Sequence, residues 1–301
     1  MRTPTGNLER EHDMTMTDMA KEMQNARWSR TLTKMAERTG GVQLSEEQAR
    51  TQLRDASLRC EATCEVCAGT GYYRKNPGLE THERGYGEIE MCPRYRSRQL
   101  REMDLSPFGM ERDELDLDWS MIKNRIGHLR LDAMKAAAVV KPRYERGWGM
   151  AALLGTYGQG KTLVGKILIA KALVAGKRAA YANMARILDD IRLAFDEKEN
   201  MTRELLRRME YWNSLDVLFI DELDRVNGTE WAAERMFQVL DQRYVRAVRE
   251  EALTVVASNK ADDDLDGYLV SRLKDRRFGK EAVVYLNGDD ARQAVAEGWR
   301  H

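Results

Sequence analysis

Met150-Ala151-Ala152-Leu153-Leu154-Gly155-Thr156-Tyr157-Gly158-Gln159-Gly160-Lys161-Thr162 decides the fold of this 301-residue chain. Five apolar residues read as a buried strand, glycines interrupt it, and apolar residues resume after Lys161 at helical spacing. A loop that wraps phosphate needs consecutive backbone N–H groups turned inward. That requires glycine where φ is positive, and a helix N-terminus behind the loop to favour negative charge. Gly155, Gly158 and Gly160 supply the freedom, and Thr156, Tyr157 and Gln159 complete the loop. Lys161 is then placed to reach the β- and γ-phosphates, and the Thr162 hydroxyl to ligate magnesium. The pattern predicts a site for ATP with Mg2+.

Outward from this loop, apolar runs alternate with helical stretches, which predicts an α/β domain with a five-stranded parallel sheet and crossover helices. Strands are expected at residues 150–154, 179–182, 217–220, 253–257 and 282–286. Each run is apolar on both faces, as in strands covered by helices on both sides. Helices are expected at 161–175, 185–195, 202–212, 229–248 and 264–276.

Leu215-Asp216-Val217-Leu218-Phe219-Ile220-Asp221-Glu222 is an apolar strand that ends in two carboxylates at the sheet edge where the phosphate loop also lies. Asp221 is expected to hold magnesium through water, and Glu222 to polarise an attacking water. The strand Thr254-Val255-Val256-Ala257-Ser258 ends in Asn259, whose amide is suited to orienting that water or touching the γ-phosphate. Ser271-Arg272-Leu273-Lys274-Asp275-Arg276-Arg277 is expected on the last helix, where an arginine points away from its own site and can serve a neighbour's γ-phosphate.

These four elements, in this order and spacing, resemble the AAA+ ATPases, and more narrowly the bacterial and phage helicase loaders of the DnaC/DnaI type, over residues 100–290. The segment from Leu273 to Gly279, followed by Val283-Val284-Tyr285-Leu286, is similar to the family's arginine-finger helix and closing strand, with Arg276 the best match and Arg272 the second. The resemblance implies a five-stranded parallel sheet with no C-terminal helical lid and a homo-oligomer with ATP sites at subunit interfaces. It also implies a protein that grips a replicative helicase through its N-terminal domain and places it on single-stranded DNA. The IstB-type regulators of transposition share nearly the same ATPase core, and an ATP-gated adaptor with little turnover is a third reading.

All four cysteines fall between residues 60 and 92. Cys64-Glu65-Val66-Cys67-Ala68-Gly69-Thr70-Gly71 is a zinc-knuckle pattern, in which two thiolates share one Zn2+ and glycine lets backbone N–H groups turn towards sulfur. A hairpin from 70–75 and 88–92 returns Cys92 to the knuckle. A zinc ribbon would place a further cysteine where Tyr95 stands, so the fourth ligand is Cys60 or His82. Packed free thiols and an iron–sulfur cluster are the competing readings. Arg94, Arg96, Arg98 and Arg101, with Tyr95 among them, form a run suited either to phosphate and base contacts or to a solvated helix face.

Lys and Arg number 49, as do Asp and Glu, which excludes a diffuse polycation; any nucleic-acid contact must be local. No run approaches the ~18 apolar residues of a membrane span. A cytoplasmic protein is expected. The composition divides the chain into an N-terminal helical region at 1–59, with helices at 14–37 and 46–59, a zinc module at 60–100, a linker at 101–118 and the ATPase domain at 119–301. Phe108 and Trp119 are candidate packing partners for adenine.

Overall fold

The computed structural model describes residues 60–123, 128–196, 200–225, 229–260, 267–279 and 281–288; the expected N-terminal helices lie outside them. The chain divides into two compact units, residues 1–70 and 71–301. In the described part of the first, the Ala68 N–H donates to Cys64 O at 2.8 Å and the Thr70 N–H to Cys67 O at 3.0 Å, closing a tight turn. Positive φ at Ala68 and Gly69 makes that turn.

The second unit opens with an antiparallel hairpin, β1 (Tyr72–Arg74) and β2 (Ile89–Met91), as expected. α1 (Pro93–Glu102) follows directly, with proline in its first turn, where the missing N–H costs no hydrogen bond. Within the run of arginines on α1, Arg98 pairs with Glu102 and Arg101 with Asp116, so much of its charge is neutralised locally. The stretch expected to be a linker is packed structure. Leu105, Met110 and Leu115 are buried in the same core as the helix after the phosphate loop.

After α2 (Ser120–Lys123) and α3 (His128–Arg146), the sheet is built from β3 (Gly149–Gly155), β4 (Ala179–Asn183), β5 (Val217–Asp221), β6 (Leu253–Ser258) and β7 (Val283–Leu286). Helices α4 (Lys161–Val174), α5 (Met184–Arg192), α6 (Met201–Ser214), α7 (Glu230–Val248) and α8 (Gly267–Leu273) lie between the strands. All pairings are parallel, in the order β4-β5-β6-β3-β7. The expected five-stranded parallel sheet is present.

Alternation along each strand sends side chains to two cores, one on each face. Ala151, Leu153, Phe219 and Val255 join α3 and α4 on one side; Met150, Ala152, Leu154, Ile220 and Val256 join α5, α6 and α7 on the other. α4 approaches the sheet closely at Gly165, where a Cβ would lie 2.6 Å from the Phe219 ring. Arg243 is fully buried and is satisfied by the Thr254 hydroxyl at 2.8 Å and by the carbonyls of Leu253 and Asn213. That tie locks α7 to β6. Among the described residues no helix is long and apolar enough to cross a membrane.

Candidate functional site

β3 lies between β6 and β7, one strand in from the edge of the sheet, and the loop that leaves it opens at the carboxyl ends of the strands, where ligand crevices form in such folds. Gly155, Gly158 and Gly160 all have positive φ, and the last caps the N-terminus of α4. A Cβ at Gly155 would lie 2.2 Å from Leu286 O, so glycine is required by space as well as by conformation. The Gln159 amide spans the loop, donating to the Thr156 hydroxyl at 3.0 Å and to Gly288 O at 2.8 Å. The Lys161 ammonium, largely buried, donates to Gly155 O and Thr156 O, each at 2.6 Å. It is thereby folded back over its own loop.

The register places the acids opposite this loop. Ile220 pairs with Val256 on β6 and Leu154 pairs with Ser258, which brings the ends of β3, β5 and β6 to one edge. Asp221 is buried, and its Oδ2 accepts the Thr162 hydroxyl at 2.8 Å. The same oxygen accepts the Tyr181 hydroxyl at 2.5 Å, while Oδ1 accepts the Glu222 N–H at 2.9 Å. Burial, and then the Asp221 charge, hold the Tyr181 phenol protonated well above its ordinary range. A buried carboxylate beside a hydroxyl at the mouth of a glycine-rich loop is an oxygen donor set suited to Mg2+. Glu222 sits next to it in the left-handed region at φ 50° and pairs with Arg225 at 2.9 Å.

Asp224, which the sequence did not single out, completes the edge. Its Oδ1 accepts the Asn259 N–H at 2.8 Å and the Ser258 hydroxyl at 3.1 Å. Burial pushes this carboxyl up, but the hydrogen bonds from Asn259, from its own N–H and from Ser258 outweigh it and leave it below the ordinary range. Asn259 is therefore brought to the same edge as Asp221 and Glu222.

The arginines divide. Within the described residues α8 ends at Leu273, and Arg276 lies on a separate 3-10 turn rather than on the helix expected there, because the Asp275 side chain accepts the Arg277 N–H and starts a new turn. Arg272 is bound to Asp241 through its Nε at 2.8 Å, and its guanidinium lies 3.6 Å from the Tyr268 ring centre. Arg277 is held by Asp275 and the Tyr244 hydroxyl. Arg276 is exposed and makes no ion pair among the described residues. Phe108 and Trp119 are half-buried against the core beside α4.

One ligand atom from each of Cys60, Cys64, Cys67 and Cys92 lies within 4.8 Å of the others, and all four residues are buried. The Cys64 thiol is lowered to about 6, first by the backbone N–H of Cys67 and then by that of Val66. Thiolates held this way are the donors a tetrahedral Zn2+ takes. His82, the other ligand left open by the sequence, is exposed and lies 3.6 Å from Glu80. The grouping among the described residues takes Cys60.

Residues 151–281 match the ATPase family associated with various cellular activities (AAA). The IS21 insertion-sequence ATP-binding protein of Pseudomonas aeruginosa is 28% identical over 145 residues, 46% of this chain and 51% of that one. The chain thus spans about half the length of this curated relative. Among solved structures, AMPPCP-bound DnaA from Aquifex aeolicus superposes with a TM-score of 0.45 at 21% identity, covering 60% of this chain and 56% of that one. The DnaC helicase loader superposes with a TM-score of 0.36 at 18% identity, covering 52% and 89%.

Proposed function

We propose, from the match of residues 151–281 to the AAA ATPase family, that the protein uses ATP to deliver a replicative helicase onto single-stranded DNA. The chemistry rests on the Thr162–Asp221 contact of 2.8 Å, which joins the phosphate loop to the acidic strand. In this reading the loop N–H groups and Lys161 hold the triphosphate, and Thr162 and Asp221 hold Mg2+. The cation would neutralise charge on the phosphate oxygens and set the γ-phosphate for in-line attack. Glu222 takes the proton of the attacking water, and Asn259 orients that water. Arg276, exposed and without an ion pair among the described residues, completes the site of a neighbouring copy in a homo-oligomer.

The delivery role is supported by the four-cysteine module ahead of the ATPase core, of a kind that the helicase loaders this chain resembles often carry, with Zn2+ as its expected metal. The test is capture of a helicase by the full-length protein from its own host. Binding should persist in Lys161→Ala and disappear when the N-terminal region ahead of the ATPase domain is removed. Recovery of no helicase with either form would end the loader reading.

A second reading, an ATP-dependent DNA-binding regulator of transposition, is favoured by the similarity to the IS21 protein. Remodelling of double-stranded DNA together with a transposase would select it. Both readings use the same nucleotide site.

A further inference from the structure

We propose that Tyr181 is a positioning residue for the magnesium site: its hydroxyl fixes the Asp221 carboxylate in the orientation in which Asp221 and Thr162 receive the cation. The inference rests on the reading of Asp221 and Thr162 as the residues that hold Mg2+.

The Asp221 carboxylate offers two oxygens, with about four acceptor positions between them. Oδ1 is occupied by the Glu222 N–H, and Oδ2 by the hydroxyls of Thr162 and Tyr181. Thr162 and Glu222 are themselves parts of the site. Tyr181 is the one partner of the three that comes from outside the phosphate loop and the acidic pair, and it stands on the neighbouring strand.

Its own position is heavily determined. β4 pairs Tyr181 with Phe219 in register, and the two rings stack at 5.5 Å with 9° between their planes. On α4 the Lys166 ammonium lies 4.5 Å from the Tyr181 ring centre. That ammonium is in turn held by Gly109 O at 2.7 Å and the Glu114 carboxylate at 2.8 Å. The phenol is thus clamped by a strand on one side and a tethered cation on the other, and its hydroxyl is aimed at one carboxylate oxygen. Without it, among the described residues that oxygen keeps the bond from the Thr162 hydroxyl, a group also needed at the cation, and the carboxylate is held less firmly. Partners that orient a metal-binding carboxylate are worth about 10–100-fold in metal affinity.

The experiment is a titration of the full-length protein with Mn2+ in the presence of a non-hydrolysable ATP analogue, with free Mn2+ read by electron paramagnetic resonance. Tyr181→Phe keeps the stacked ring and the Lys166 contact and removes only the hydroxyl. It should weaken Mn2+ binding by about 10-fold or more, while affinity for the analogue in excess EDTA stays at the wild-type value. Unchanged Mn2+ affinity would overturn the proposal, and so would an equal loss of analogue affinity in EDTA, which would mark a general role in the fold. Asp221→Asn separates this from the site assignment. If Asp221→Asn weakens Mn2+ binding and Tyr181→Phe does not, the role of Tyr181 alone is wrong. If neither does, Asp221 is not a cation-holding residue.

Discussion

Asp224 accepts the backbone N–H of Asn259 at 2.8 Å and so ties the turn after β5 to the end of β6. The bond makes the position of the Asn259 amide depend on an acid three residues beyond Asp221. Asp224→Ala should therefore leave nucleotide affinity near wild type and lower turnover by about 10–10²-fold, because a misplaced orienting group costs rate more than binding. Nucleotide titration and steady-state hydrolysis on the same preparation check this. Equal loss of both would mean that Asp224 serves the fold alone.

Arg276 and Arg272 should part company on substitution. Arg276→Ala is expected to bind ATP normally and to hydrolyse it about 10³-fold or more slowly, with activity regained on mixing with Lys161→Ala. Arg272→Ala breaks the Asp241 pair and the stacking on Tyr268, and is expected to lower the melting temperature. Loss of turnover in Arg272→Ala with full turnover in Arg276→Ala would reverse the assignment.

The cysteine cluster gives a prediction independent of nucleotide. Purified protein should contain about one zinc per chain by elemental analysis, and Cys67→Ser should lose most of it. Stoichiometric iron with visible charge-transfer absorption would replace zinc with a cluster, and metal-free protein with four titratable thiols would favour simple packing.

Acid should loosen the Arg276 turn. The Asp275 carboxyl is held well below its ordinary range, chiefly by the Arg277 side chain, against the opposing effect of burial. A carboxyl lowered on folding adds stability that is fully present above its unfolded value, about pH 4, and is lost as pH falls below that value through the folded one. The urea midpoint should thus drop as pH falls below about 4, and Asp275→Asn should flatten part of that drop. An identical pH profile in Asp275→Asn would contradict the assignment.

The phosphate loop was legible in the sequence because its chemistry is local: glycines, lysine and threonine are adjacent in the chain and need only the right flanks. The sheet was legible because runs apolar on both faces leave few alternatives. Asp224 was missed because an acid just past a strand end has the same pattern as a solvated turn. Tyr181 was missed because its partner is 40 residues away and only the pairing of β4 with β5 brings them together. The stretch from Leu105 to Leu115 looked like a linker because its apolar residues are sparse among acids, Pro107 and Gly109. Its burial depends on the surface α4 offers. Arg276 was expected on a helix because nothing in the local pattern marks Asp275 as the cap of a new turn.

In the proposed mechanism Glu222 takes a proton from water at a triphosphate held by Lys161, Thr162 and Asp221. Its most direct test is ATP turnover by Glu222→Gln measured beside nucleotide retention. ATP should stay bound while hydrolysis falls by about 10²–10⁴-fold. Turnover at the wild-type rate in Glu222→Gln would contradict it.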